Sequence, residues 1–363
     1  MPFFHPYCSP SEVVWQVPTS CGQMARMAEI VLGIWTTHGP QLSTTPEQWM
    51  LRVPVDRGRK HWFNGTAYPF DELVQMRRSE NLAEKSSLEA RTRSHAACQA
   101  AIARVAAIWK EIHPDVCVVF GNDQRELMLP ELQPAYTVYY GETFWNGPLD
   151  RERAAELPAG IVEAEWANRP KERREYKGLP DLAALLIERG LDQGWDFAAS
   201  SEWPSHPSPH HHVGTPHAFA YLLRRVMEDR AVPMLPIITN TFFPPNQPRP
   251  WRCFALGELV FSVLKEWKRD VRVAVFGSGG MTHFTINEEF DQALIKAIQG
   301  RDAAFLKGIS PKLMKDGTSE LLNWVSASGC LFQTKLSGDV IDYVPCYRSE
   351  AGTGTAQGFI VWK

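Results

Sequence analysis

The sequence predicts one α/β domain: a central mixed β-sheet with helices on both faces. Three observations lead there. Four short apolar runs, at 28–35, 115–121, 234–239 and 271–277, are rich in Val, Ile and Phe and end in turn residues, which is how buried central strands read. Between them lie segments with the apolar period of helices, above all 88–112 and 251–267. No internal repeat and no break in composition divides the chain, so the elements are expected to share one core.

Size and composition narrow the function classes. A chain of 363 residues is long enough for a large core. Its 44% hydrophobic content is ordinary for a globular protein, and a net charge of −3 gives no electrostatic footing for nucleic acid or an anionic membrane. No apolar run is long enough to cross a bilayer. The seven cysteines are odd in number, scattered and never in CxxC spacing. That argues for reduced thiols and a cytoplasmic location, without a disulfide framework or structural zinc site. The 13 Trp and 27 Pro suggest ordered, aromatic-lined loops, which suit a pocket for a flat ligand.

Taken in order, residues 1–26 carry Pro2, Pro6, Pro10 and Pro18 without periodicity and lack the pattern of a signal peptide. They read as a poorly ordered extension before a folded domain over 27–363. The first strand, 28–35, runs into Thr36-Thr37-His38-Gly39-Pro40, placing a histidine at a strand end before a turn. The polar excursion 41–87, with Trp49, Trp62, Phe63 and Phe70, is long enough to cover a site opening near His38. In the helix over 88–112, Ile102, Val105, Trp109 and Ile112 make one face, and His113-Pro114 stops it.

A strand over 115–120 then leads into Gly121-Asn122-Asp123-Gln124, and 135–140 is another strand. Residues 141–179 read as loop with a helical piece near 160–168, 181–189 as helix and 195–200 as a short strand. Five histidines fall within 205–217, just before a helix start at Thr215-Pro216, which favours a functional imidazole there. That helix is expected to run to about Arg230. The strand 234–239, a rigid loop at 240–246 and the helix 251–267 follow, then helical segments within 301–335 and two strands, 340–344 and 358–362, around Gly352 and Gly354.

The most informative stretch is 270–291, DVRVAVFGSGGMTHFTINEEFD. A buried strand enters the small-residue turn Ser278-Gly279-Gly280, followed by His283 and by Glu288-Glu289 at the mouth of a helix. Open α/β sheets place their chemistry just past such strand ends. The residues alone therefore indicate a metal-dependent enzyme with His and Glu ligands on an α/β sheet.

Six segments in order, GIWTTHGPQL (33–42), VVFGNDQ (118–124), HHHVGTPHAF (210–219), PIITNTFFPPNQPRPWRCFALG (236–257), GSGGMTHF (277–284) and INEEFD (286–291), carry a resemblance. The chain resembles the class III extradiol ring-cleavage dioxygenases of the protocatechuate 4,5-dioxygenase catalytic-subunit type and, within that group, gallate and 3-O-methylgallate dioxygenases. The resemblance spans nearly all of 27–363. It implies a mononuclear Fe(II) held by two histidines and a glutamate, with positions open for substrate and O₂. It assigns the first histidine to His38 and the glutamate to Glu289, next to Glu288. Asn122-Asp123-Gln124 stands where the family has Asn-Asp-His, so the second ligand position falls on Gln124, with Asp123 or a histidine of 206–217 as alternatives. The acid–base histidine falls on His211, and His283 is implied to contact substrate or orient a ligand.

On this resemblance the substrate is a catecholic aromatic acid of the gallate, 3-O-methylgallate or protocatechuate type. The ring opens beside, not between, the two hydroxyls, and both atoms of O₂ enter the product. His38, Gln124, His211, His283 and Glu289 are expected in one pocket. A homo-oligomer, a dimer, is implied, and a small helical partner subunit is compatible with the family. The other readings are a metal-poor binding or scaffold protein on the same fold and a zinc-dependent hydrolase using the same residues.

Overall fold

The computed structural model describes residues 27–203 and 214–363. The extension expected at 1–26 lies outside the described residues, as does His211. Nine strands form the main sheet: β1 Glu29–Thr36, β2 Val116–Asn122, β3 Tyr136–Tyr139, β4 Ala198–Ser200, β5 Met234–Thr239, β6 Arg272–Ser278, β7 His283–Thr285, β8 Gly338–Tyr347 and β9 Thr353–Trp362. Their spatial order is β7-β9-β1-β6-β2-β5-β3-β4, and β8 pairs with β9. The four apolar runs of the sequence form the parallel middle, β1-β6-β2-β5. Antiparallel β9 against β1, and β3 against β5, make the sheet mixed.

Alternation explains why these strands are apolar throughout. Val116, Val118 and Phe120 of β2 share one core with Val273 and Val275 of β6 and Leu235 and Ile237 of β5. The intervening Cys117, Val119, Ala274, Phe276, Met234 and Ile238 point into a second core on the opposite face. Five longer helices cover these faces: α1 Leu88–Ile112, α2 Pro180–Asp192, α3 Pro250–Glu266, α4 Glu288–Gln299 and α5 Leu321–Leu331. The first core takes α2, α3, α4 and α5, and the second takes α1. Helices α3 and α5 cross closely at two glycines. A Cβ on Gly257 would lie 1.9 Å from the Ser326 carbonyl oxygen, and one on Gly329 would lie 2.0 Å from that of Phe254.

Local chemistry fixes the helix ends. The Ser87 hydroxyl accepts from the Ala90 N–H at the start of α1 (3.2 Å), a cap worth about 1 kcal/mol. His113, with φ at 50°, turns the chain out before Pro114. The helix expected from Thr215 to about Arg230 is shorter. It runs over His217–Tyr221, widens at Leu222–Val226 and ends where Glu228 and Asp229 adopt left-handed φ values of 49° and 61°. The excursion 41–87 contains short helices and a hairpin, Lys60–Phe63 with Thr66–Pro69. Among the described residues no helix is long and apolar enough to cross a membrane.

The parallel strands β1, β6, β2 and β5 all end on one edge. That edge presents His38 after β1, Ser278 at the end of β6 and Asn122 to Gln124 at the end of β2. Two further elements meet it: the short helix starting at His217 and the turn Asp316–Glu320 that leads into α5.

Candidate metal centre

His38 is buried, and its two ring nitrogens face different partners. Nδ1 lies 3.0 Å from Ser278 Oγ, while the Ser278 hydroxyl donates its one proton to the Ala218 carbonyl (2.6 Å). Ser278 can therefore only accept from His38, so Nδ1 carries the imidazole proton and Nε2 keeps its lone pair. Nε2 lies 3.2 Å from Glu320 Oε2 and has no hydrogen-bond partner. Burial outweighs the neighbouring carboxylate and lowers the His38 pKa, in keeping with a neutral ring. A buried lone pair beside a carboxylate oxygen is unfavourable unless a cation lies between them.

Glu320 is held from several sides. Its Oε1 accepts from the Gln124 amide (2.6 Å) and from Asn122 (3.4 Å), and its Oε2 accepts from the Gly280 N–H (3.0 Å). Burial works against its ionisation, and the His38 and His283 imidazoles hold the carboxyl well below its ordinary range only when they carry positive charge, so an ionised Glu320 calls for a cation at this centre, a proton or a metal ion. His283 Nε2 approaches Glu320 Oε2 at 3.7 Å, while its Nδ1–H donates to the Met281 carbonyl (2.7 Å). Two glycines make room for the His283 ring. A Cβ on Gly317 would meet its Cδ2 at 1.9 Å, and one on Gly280 its Cε1 at 2.1 Å.

His217 completes the group. Its Nδ1 bonds Glu126 Oε2 (2.6 Å), and its backbone N–H donates to Glu126 Oε1 (2.9 Å). This fixes the ring and turns Nε2 away from Glu126. Burial disfavours a charged ring, but Glu126 outweighs it, and the His217 pKa is raised to about 9. The carboxylates thus favour positive charge here, whether a proton or a metal ion. The His38 and His217 rings meet edge to face, with centroids 4.7 Å apart. One donor atom each from His38, His217 and Glu320 lies within 4.8 Å of the other two. Two imidazoles and one carboxylate, with the rest of the pocket open, are a donor set that fits a divalent metal of the facial-triad kind.

The centre opens into a cavity of about 330 Å³ walled by Pro40, Leu157, Pro158, Ile161 and Phe284, with Arg52 and Arg348 also on its surface. That volume suits a single-ring ligand.

Residues 87–352 match the family model described as the catalytic LigB subunit of aromatic ring-opening dioxygenase. The chain belongs to this family. It is also similar to 2,3-dihydroxyphenylpropionate/2,3-dihydroxicinnamic acid 1,2-dioxygenase of Comamonas testosteroni, at 26% identity over 185 residues, 50% of this chain and 47% of that one. The chain thus spans about half the length of that relative. The crystal structure of an uncharacterized protein from Escherichia coli K12 covers 93% of this chain and 99% of its own, with 10% identity and a TM-score of 0.42.

The structure places His38, Gln124 and His283, three of the five residues expected in one pocket, on one cavity. It places Glu289 elsewhere, on the wall of a separate cavity with Asn64, Phe290 and Phe305, and Glu320 takes the position beside His38. Glu288 is engaged by Lys85 (2.9 Å) and the Tyr347 hydroxyl (2.8 Å). Gln124 turns its amide nitrogen to Glu320. Asp123 accepts from the backbone N–H groups of Glu126, Leu127 and Met128, which occupies both of its oxygens. Among the described histidines of 206–217, His217 lies beside His38 and Glu320, and the others of that run lie outside the described residues. Sequence reasoning missed Glu320, because a glutamate at a helix start is ordinarily a dipole partner. Gly317, three residues earlier and pressed on His283, was the available signal.

Proposed function

We propose that the protein is an Fe(II)-dependent extradiol dioxygenase that opens a catecholic aromatic ring. On this reading His38, His217 and Glu320 hold the metal, and His283 handles the substrate proton. The observation that carries it is the unpartnered Nε2 of His38, pinned 3.2 Å from Glu320 Oε2 by the Ser278 contact on its other nitrogen. Bound there, the ion supplies redox coupling between the ring and O₂ and acidifies the ring hydroxyls.

The chain's own residues do the rest. Glu126 orients His217, Ser278 orients His38, and Gln124 with the Gly280 N–H orients Glu320. His283, its Nδ1–H fixed on Met281, presents Nε2 as an acceptor for a ring hydroxyl proton and can return that proton later. Glu320 raises the His283 pKa against the lowering by burial, which suits a group that must both take and give a proton. Phe284 and Pro40 present apolar surface to the ring. The overall reaction adds both atoms of O₂ and breaks one ring carbon–carbon bond beside the diol.

The substrate class is a catecholic acid of the gallate, 3-O-methylgallate or protocatechuate type, or a dihydroxyphenylpropionate like that named for the Comamonas relative. The test is O₂ uptake by anaerobically Fe(II)-loaded protein offered these compounds, with ring opening followed in the ultraviolet. Uptake with at least one is expected, with His283→Gln retaining iron but losing turnover by at least about 100-fold. Bound iron with no uptake on any of them would contradict the reading.

A further inference from the structure

The cavity wall carries two arginines whose circumstances differ. Arg348 is buried, and its guanidinium is already occupied. Nε and Nη2 form a two-pronged pair with Asp56 (2.6 and 2.8 Å), and Nη1 reaches Gln41 (3.4 Å). Arg52, at the end of the short helix Gln48–Arg52, is half-buried and forms no ion pair with any described residue. Among the described residues its guanidinium makes one hydrogen bond, a long contact from Nη1 to the Ala159 carbonyl (3.4 Å). The acidic groups on the same wall are committed elsewhere: Glu126 to His217, Glu165 to Arg169 (3.1 Å) and Glu320 to the metal centre.

The Arg52 side chain is nevertheless held in place. Its stem lies over Gly160, where an added Cβ would come within 2.8 Å of Cδ and 2.9 Å of Cγ. Gly160 sits at φ +82°, a conformation that favours glycine, so both the backbone and the space select the residue that admits this stem. Arg52 lines the ring-sized cavity, its stem packs on Gly160 and its guanidinium pairs with no carboxylate among the described residues, so it can receive an oxyanion in two-pronged fashion. Burial and the nearby Arg348 lower the Arg52 pKa, which an incoming anion would offset.

We propose that Arg52 binds the carboxylate of the aromatic substrate and sets a preference for catecholic acids over neutral catechols. The inference rests on the ring-opening reading of the cavity, but its test is arranged so that either can fail alone. Anaerobic calorimetry on the Fe(II)-loaded protein compares three acids with their neutral amides: 3,4-dihydroxybenzoate, 3,4,5-trihydroxybenzoate and 3-(2,3-dihydroxyphenyl)propionate. The wild type should bind at least one acid roughly tenfold to a hundredfold more tightly than its amide. Arg52→Met should remove that difference while leaving the amide's affinity within about threefold, and Arg52→Lys should keep part of it. Far-ultraviolet circular dichroism checks that both variants fold.

No preference for any acid in the wild type, a preference that survives Arg52→Met, or equal weakening of acid and amide would each overturn the assignment. Oxygen uptake is read separately on the same samples. Arg52-dependent acid binding without uptake would retire the ring-opening reading and leave the anion site standing. Uptake that ignores the acid would do the reverse.

Discussion

Two buried charged clusters lie close together in this protein, and they are built on opposite principles. In the first, both oxygens of Asp56 are bonded by Arg348, and Thr353 adds a hydroxyl donor at 2.7 Å. In the second, the Nε2 of His38 lies 3.2 Å from a carboxylate oxygen and makes no well-formed hydrogen bond. Both are almost fully buried, so burial of charge does not separate a structural cluster from a functional one. The separating feature is whether the polar atoms are matched within the chain. The Asp56–Arg348 pair is closed, tying the excursion 41–87 to the end of β8. The His38–His217–Glu320 group is left open, with its orienting bonds on the outer side and its lone pairs turned inward.

The largest effect that would break this comparison is on the closed cluster. Asp56→Asn leaves a buried guanidinium short of its counter-charge and should lower stability by about 3 kcal/mol in urea unfolding at neutral pH. Burial alone would raise the Asp56 carboxyl, but Arg348 and Thr353 outweigh it and lower its pKa below the ordinary 3.8. Stabilisation from a lowered carboxyl is complete above its ordinary pKa and is lost as pH falls through the folded value. The gap between wild type and Asp56→Asn should therefore narrow below about pH 4. Iron content per folded chain should not change, and a loss of iron would mean the two clusters are one.

A smaller effect tests the orienting bonds of the open cluster. Glu126→Gln keeps the shape but weakens the hold on His217 Nδ1, and Fe(II) affinity by anaerobic titration should fall roughly tenfold to a hundredfold. Smaller again is Gln124→Ala, which removes one of several donors to Glu320. A drop in Fe(II) affinity of about tenfold or less is expected. Near-complete loss of iron in this variant would make Gln124 itself a ligand, as its position in the sequence first implied.

Much of the fold was legible because it rests on strong local signals. The four apolar runs became the parallel middle of the sheet, and the 3.6-residue period over 88–112 became α1. The β8–β9 hairpin runs longer than expected, since the alternation in β8 is diluted by Asp339 and Asp342. At the site, three residues that the sequence singled out because they follow strand ends, His38 after β1, Gln124 after β2 and His283 after β6, line one cavity. Glu320 was not singled out, because its place is set by a turn that closes over the sheet edge from 37 residues beyond His283 in numbering, well over the length of α1. Glu289 sits in the more suggestive local sequence, yet it begins α4 and faces a different cavity. Linear spacing could rank the two glutamates only by motif, and three-dimensional packing ranks them by neighbours.

The most direct test of the central claim is therefore the contrast between those two glutamates. Anaerobic Fe(II) titration of the wild type, Glu320→Ala and Glu289→Ala, followed by metal analysis after desalting, decides between them. The account predicts about one iron per chain in the wild type and in Glu289→Ala, and loss of tight binding in Glu320→Ala. Iron retained by Glu320→Ala and lost by Glu289→Ala would contradict it.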